Sequence, residues 1–206
     1  GKIIPLTYDY VFTAIFNNPE NIDIVENFLS CYLEIPLEKI KGKVKLCSRD
    51  LQLEGKQEAN KQVDLILELE DEKINIELSN KVNQGTIDRN ILYACNIHSG
   101  NLKYGDNSYN KIGRTIQINL NNCPTSNKLK ETYYFRNEEG KILSEKFRID
   151  FVDMVIGSKL CYTGSESNLT KWCFAFTTQK KEAFQKVVGE IEMEEKTRKK
   201  LIEEVD

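Results

Sequence analysis

A chain of 206 residues that is 40% hydrophobic can bury one sizeable core and does not need disulfides for stability. Its formal net charge of −3 does not indicate a nucleic-acid-binding protein by bulk electrostatics, although 30% charged residues leave room for a local basic patch. No apolar run approaches the roughly 20 residues that span a bilayer, and the six cysteines form no CxxC pair. We therefore expect a cytoplasmic protein with reduced thiols and no membrane partner.

The first quarter of the chain predicts two helices followed by a strand. Thr7 is expected to cap a helix that continues to about Asn17, before Pro19 breaks it. A second helix is expected from about Glu20 to Leu33, and Pro36 ends it. Residues 40–55 alternate lysines with apolar residues, which predicts a half-exposed strand.

The segment from Lys61 to Lys81 predicts a hairpin that carries two carboxylates on one face. Apolar residues alternate with polar ones in both arms, and side chains two apart share a face, so Asp64, Glu77 and Ser79 can converge. A turn near residues 70–73 would place Asp64 opposite Ser79 and diagonal to Glu77, at about 7–8 Å. Two carboxylates at that spacing can share one divalent ion. The pattern alone favours the alternative, solvated polar positions on an exposed hairpin face.

Further elements are predicted after the hairpin. Helical spacing predicts a helix over residues 84–99, and shared parity predicts a strand over residues 111–120. Two more strands, a loop and further helices follow: strands at 131–137 and 142–154 joined by a turn at 138–141, a loop at 157–168, and helices from Leu169 onward. We expect residues 1–188 to form one domain and residues 189–206 a charged helix that ends in mid-pattern.

The order of these elements resembles the core of the PD-(D/E)XK nucleases, in which a helix precedes a mixed sheet whose central hairpin holds metal-binding acids. More narrowly, the chain resembles the recombination-promoting nuclease and transposase family (Rpn family). The matching segments include DYVFTAIFNNPENIDIVENFL at 9–29, VDLILELEDEKINIELS at 63–79 and RNILYACNIHSG at 89–100. Further matches lie at 109–120 and 133–154 and in the helix that contains Trp172. The resemblance implies an α/β fold with a restriction-endonuclease-like core, a mixed central sheet flanked by helices.

The resemblance also implies a metal site. Asp64 matches the first motif acid, and Glu77 matches the acid of the family's E-x-Q motif, a variant of E-x-K. With the carbonyl of Leu78, these acids would hold Mg²⁺, for which Mn²⁺ should substitute. Asp9 matches an acid at the head of the first helix, where it would face the metal; stabilisation of the helix N-terminus is the alternative.

The third motif position departs from the family, because Ser79 stands where Gln or Lys is expected. Serine carries no positive charge and has a short reach, whereas the usual lysine orients or deprotonates the attacking water. Lys81, two residues further along the same face, could reach back to the site. Gln84 in the next helix is a second candidate, and a silenced active site is a third reading.

DNA is the partner that the resemblance implies, with Arg89, Tyr93 and Lys111 as candidates for contacts to its backbone. These three could equally be surface or partial-core positions. The single histidine, His98, disfavours a Ser-His-Asp triad or a multi-histidine zinc site. Cleavage of both strands of a duplex needs two active sites, so a homo-oligomer is also expected.

Three functions follow from these observations. The first is a Mg²⁺-dependent DNA endonuclease of the recombination-promoting type. The second is a catalytically inactive relative that binds DNA or acts as a regulatory interaction module on the same fold. The third is a plain interaction module in which the hairpin acids are only solvated.

Overall fold

A computed structural model describes residues 1–51, 61–102, 105 and 108–206. Its helices are α1 (Asp9–Phe16), α2 (Ile22–Leu33), α3 (Leu37–Ile40), α4 (Gln84–Ser99), α5 (Met154–Tyr162), α6 (Asn168–Thr177), α7 (Lys181–Glu190) and α8 (Glu195–Val205). Its strands are β1 (Val44–Leu46), β2 (Asp50–Leu51), β3 (Lys61–Gln62), β4 (Leu65–Leu69), β5 (Glu72–Ser79), β6 (Thr115–Asn121), β7 (Lys130–Tyr133) and β8 (Phe147–Asp153). Short 3₁₀ turns cover Pro19–Asn21 and Tyr109–Lys111.

Six strands form one mixed sheet in the order β1-β4-β5-β6-β8-β7. Strands β5, β6 and β8 run parallel to one another, whereas β1, β4 and β7 join antiparallel to their neighbours. The carboxyl ends of the parallel strands therefore meet at one edge of the sheet. The short strands β2 and β3 form a separate antiparallel pair.

Helices cover both faces of this sheet. On one face, apolar side chains of β4, β5 and β6 pack against α1, α2 and α5–α8 in one large core. An aromatic cluster lies at its centre: Phe12, Phe16, Phe28, Trp172 and Phe176. Helix α8 contributes Leu201 to the same core. The predicted α/β architecture, a mixed sheet flanked by helices, is confirmed.

Helix α4 covers the other face and connects the parallel strands β5 and β6. Asn83 caps it, accepting a hydrogen bond from the Thr86 backbone N–H at 3.0 Å, while the Thr86 hydroxyl reaches back to the Asn83 N–H. Tyr93 and Ile97 of α4 pack on Ile66 of β4. Helix α4 therefore covers the polar face of the hairpin. The alternative interpretation, that this face is exposed and solvated, is wrong.

Several predicted boundaries differ from the structure. Thr7 is buried and does not cap α1, whose N-cap is Tyr8 without a side-chain hydrogen bond. The strand predicted over 40–55 is divided between the last residue of α3, β1 and β2, and its residues 52–55 lie outside the described part. The loop predicted from residue 157 overlaps α5, which continues to Tyr162. Among the described residues, no helix is both long and apolar enough to span a membrane.

Candidate active site

The β4–β5 hairpin brings the two predicted acids directly opposite each other. Leu69 pairs with Glu72, so the turn has only two central residues, and the ladder ends where Leu65 pairs with Ile76. Asp64, the residue before this last pair, therefore faces Glu77. The prediction that Asp64 lies opposite Ser79 is wrong, because the turn is tighter by two residues than the pattern suggested.

Each of the two carboxylates accepts a hydrogen bond from the backbone beside the other. Asp64 Oδ2 accepts from the backbone N–H of Leu78 at 2.7 Å. Glu77 Oε1 accepts from the backbone N–H of Asp64 at 3.3 Å. Each acid thus fixes the strand that carries the other, and the pair is held in one orientation.

Burial makes this pair of acids costly to ionise. Glu77 is only 4% exposed, and burial, followed by the neighbouring charge of Asp64, raises its pKa to about 8 from an ordinary 4.5. Burial also raises the pKa of Asp64; the Leu78 N–H opposes that rise, and the charge of Asp9 adds to it. A divalent cation would remove this penalty, since it neutralises both carboxylates at once. The chemistry of the donor set therefore fits a metal ion.

The Leu78 carbonyl is available as a third oxygen on the same side. The N–H and C=O of one strand residue point to the same neighbour, and the Leu78 N–H points to Asp64. Within the described residues, no group of three or more acidic, cysteine or histidine side chains is placed to hold a metal. Two carboxylates, one carbonyl and water is nevertheless a set that Mg²⁺ accepts, because this ion keeps several waters.

The start of α1 lies beside the acids. Asp9 is the first residue of that helix, and its charge acts on the pKa of Asp64. The side chain of Asn80, just after β5, donates to the Thr7 carbonyl at 3.0 Å and ties this segment to the hairpin. Asp9 is exposed and outside any compact three-acid cluster, so the structure supports an electrostatic influence of Asp9 on Asp64.

The three predicted DNA-contact residues are divided between two places. Arg89 is exposed on α4, and its positive charge lowers the pKa of Asp64. Its guanidinium lies 5.8 Å from the centre of the Tyr93 ring, whose side chain is itself buried in the cluster beneath α4. Lys111 is exposed but precedes β6, whereas Glu77 pairs near the carboxyl end of that strand. Arg89 therefore lies near the acids, and Lys111 lies toward the opposite edge of the sheet.

The third motif position ends β5. Ser79 is buried, and its hydroxyl has no hydrogen-bond partner among the described residues. Lys81 is exposed, two residues beyond the strand. The Gln84 amide donates to Asp88 on the surface of α4 at 2.9 Å.

Sequence reasoning missed a row of buried amides that runs from β5 across β6. Asn75 donates to Gln117 at 2.7 Å, and Gln117 donates to Asn119 at 3.1 Å. Asn119 also accepts from Asn90 of α4 at 2.9 Å. The signal was present in β6, where Thr115, Gln117, Asn119 and Asn121 occupy the parity opposite to the isoleucines.

An acid pair on the central hairpin, at the edge where parallel strands end, is the arrangement of a PD-(D/E)XK-type nuclease core. A comparison with family models agrees: the model of the PD-(D/E)XK nuclease family transposases matches residues 6–206. The chain belongs to this family. No curated protein and no solved structure gives a significant match.

Proposed function

We propose that this protein is a Mg²⁺-dependent DNA endonuclease of the recombination-promoting type. The observation that carries the proposal is the facing pair Asp64 and Glu77: Glu77 is buried, Asp64 is half-buried, and each accepts a hydrogen bond from a backbone N–H on the other's side of the hairpin. A buried pair of like charges is unfavourable for stability alone and is favourable once a cation binds between them. Family membership supplies the reaction class, phosphodiester hydrolysis.

Each residue then has a stated task. Asp64 and Glu77, with the Leu78 carbonyl, hold the metal, which when bound lowers the pKa of water and neutralises charge on the phosphate. Arg89 provides a positive charge near Asp64 for the DNA backbone, and Asp9 adjusts the charge of the acid pair. Tyr93 supports Arg89 from the buried side of α4. Lys111 contacts DNA only if the duplex extends toward the far edge of the sheet.

A catalytically inactive DNA-binding or regulatory module on the same fold is the second candidate. It is favoured by Ser79, which places no charge and no long side chain at the third motif position. In that case the acids would still bind a metal, but cleavage would be absent until the missing group is restored.

Plasmid cleavage tests the proposal. The chain, its Asp64→Ala variant and the control Asp71→Ala are each incubated with supercoiled DNA and Mg²⁺ or Mn²⁺; Asp71 is exposed in the β4–β5 turn, away from the site. We expect the wild-type chain and the control to nick the plasmid and Asp64→Ala to be inert. Cleavage that appears only in a Ser79→Gln variant would favour the inactive module. Cleavage by neither the wild-type chain nor Ser79→Gln would refute the endonuclease.

The metal site can be tested without turnover. A ligand that binds only the folded state raises stability by about 2.7 kcal/mol at 100 times its Kd. We expect Mn²⁺ to raise the melting temperature of the wild-type chain and of Asp71→Ala, but not that of Asp64→Ala. Equal shifts in all three proteins would show that Mn²⁺ binds elsewhere.

A further inference from the structure

Two buried side chains next to the acid pair have no hydrogen-bond partner. Ser79 ends β5 and Asn121 ends β6, and these residues are direct neighbours in the parallel register. Ser79 is 5% and Asn121 1% exposed. Within the described part of the chain, Ser79 Oγ and both amide atoms of Asn121 lack a partner.

Asn121 differs in this respect from the rest of the amide row. Asn75 and Asn90 each leave their carbonyl oxygen unpaired but use their amide nitrogen in a hydrogen bond. Asn121 uses neither atom. A buried amide without a partner destabilises the fold. The presence of Asn121 at this position therefore indicates a role other than stability.

The position of the pair supplies that reason. Ser79 is two residues from Glu77 and shares its face of the sheet, so the unpaired atoms adjoin the proposed metal site. A buried water needs two to four polar partners, and Ser79 Oγ with the Asn121 amide offers three atoms. Ser79 is also where the family motif carries a Gln, whose functional group is an amide.

We propose that Asn121 and Ser79 bind and orient the attacking water, and that Asn121 supplies from β6 the amide that the E-x-Q motif supplies from β5. This inference rests on the proposed endonuclease function. An amide does not take up a proton at neutral pH, so the pair orients the water and does not deprotonate it. The water oxygen forms the new bond to phosphorus, the bond to the leaving sugar oxygen breaks with its electron pair, the water's proton passes to solvent, and the leaving oxygen is protonated from solvent.

The test compares Asn121→Leu with the double variant Asn121→Leu/Ser79→Gln in Mg²⁺-dependent plasmid cleavage by the full chain. We expect Asn121→Leu to lower kcat by roughly 100-fold with KM within about threefold, since one lost contact to the reacting centre has effects of that order. Ser79→Gln should restore kcat of the double variant to within about tenfold of wild type. Asn110→Leu, the same change at an exposed residue before the other end of β6, is the control and should cleave normally.

Thermal unfolding gives a readout that does not depend on cleavage. Replacing an unpaired buried amide by an apolar group of similar size should leave the melting temperature of the metal-free protein equal or higher. The shift caused by Mn²⁺ should persist in Asn121→Leu, because Asp64 and Glu77 are intact.

Four outcomes would overturn the inference. Normal cleavage by Asn121→Leu would leave the endonuclease standing and remove Asn121 from it. Loss of cleavage together with a lower melting temperature would make Asn121 a structural residue. If Ser79→Gln failed to restore cleavage in the double variant, the idea that Asn121 replaces the amide of the motif Gln would be refuted. Absence of cleavage in the wild-type chain and in Ser79→Gln alone would refute the endonuclease and this inference together.

Discussion

Replacing Glu77 by Gln should make the metal-free protein more stable at alkaline pH. The folded-state pKa of Glu77 is about 8, above the ordinary 4.5, so the folded protein holds a proton that the unfolded chain releases. Stability from this group is therefore complete below about pH 4.5 and is lost as the pH rises through 8. Gln carries no charge at any pH, and Glu77→Gln removes this dependence.

The size of the effect follows from the difference in pKa. One pKa unit corresponds to 1.36 kcal/mol, and the pH dependence is weaker close to each of the two pKa values, so we expect Glu77 to lower the free energy of unfolding by about 3 kcal/mol between about pH 5 and pH 8. In a protein of this length, 1 kcal/mol moves the melting temperature by about 2–4 °C, so Glu77→Gln should gain roughly 6–12 °C over wild type at the upper pH. Near pH 5 the two proteins should be almost equal.

The assay is thermal unfolding of both proteins in chelator at several pH values. The difference between them reports on the acid pair, because Glu77→Gln also removes a charge that acts on Asp64 and leaves the other titrating groups in place. Asp71→Asn, which removes an exposed carboxylate from the turn, is the control and should remain parallel to wild type. If Glu77→Gln also remained parallel, or lost stability as pH rose, the buried acid pair would not carry the penalty argued for it.

Three further changes test other parts of the molecule. Arg89→Gln should weaken DNA binding. It should also reduce the slope of the logarithm of the DNA-binding constant against the logarithm of the salt concentration by about 1, as expected for one phosphate contact. An unchanged slope would show that Arg89 does not contact the DNA backbone. Asp150→Asn should destabilise the fold by about 3–5 kcal/mol in denaturant titrations, because Asp150 is fully buried and the charge of its bidentate partner Arg148 would be left uncompensated. A loss below about 1 kcal/mol would contradict this. Trp172→Ala should cost about 3–5 kcal/mol by the same measurement, since its ring is fully buried among aromatic side chains, and a near-neutral result would show that the cluster can repack.

The elements predicted with most success were those with long, clear periodicity. Helix α4 has the predicted bounds, residues 84–99, because its apolar residues recur regularly and Asn83 and Gly100 border it. The hairpin and its two acids were also found, since alternation extends through both arms. The exact register was missed because it depends on a two-residue turn at Glu70. Glu70 adopts a positive φ of 55°, and the sequence gives no signal for this conformation.

The buried polar face was beyond pattern analysis. Alternation predicts that one face of a strand is apolar and the other polar, and the ordinary inference is that the polar face meets water. Here α4 covers it, and amides of β5, β6 and α4 hydrogen-bond one another beneath that helix. That arrangement depends on which helix packs on which face of the sheet. This is a tertiary property, and the alternation of residues along one strand does not encode it.

The tight β4–β5 hairpin has a consequence for folding kinetics. Asp64 and Glu77 are close in sequence, so their contact forms with a small loss of loop entropy and can precede the packing of α4. Burial is the main cause of the raised pKa of Glu77 and is complete only once α4 packs, so protonation or a bound cation should slow unfolding more than it speeds refolding. Stopped-flow refolding of the wild-type chain and Glu77→Gln at about pH 8 would measure how early the site is assembled.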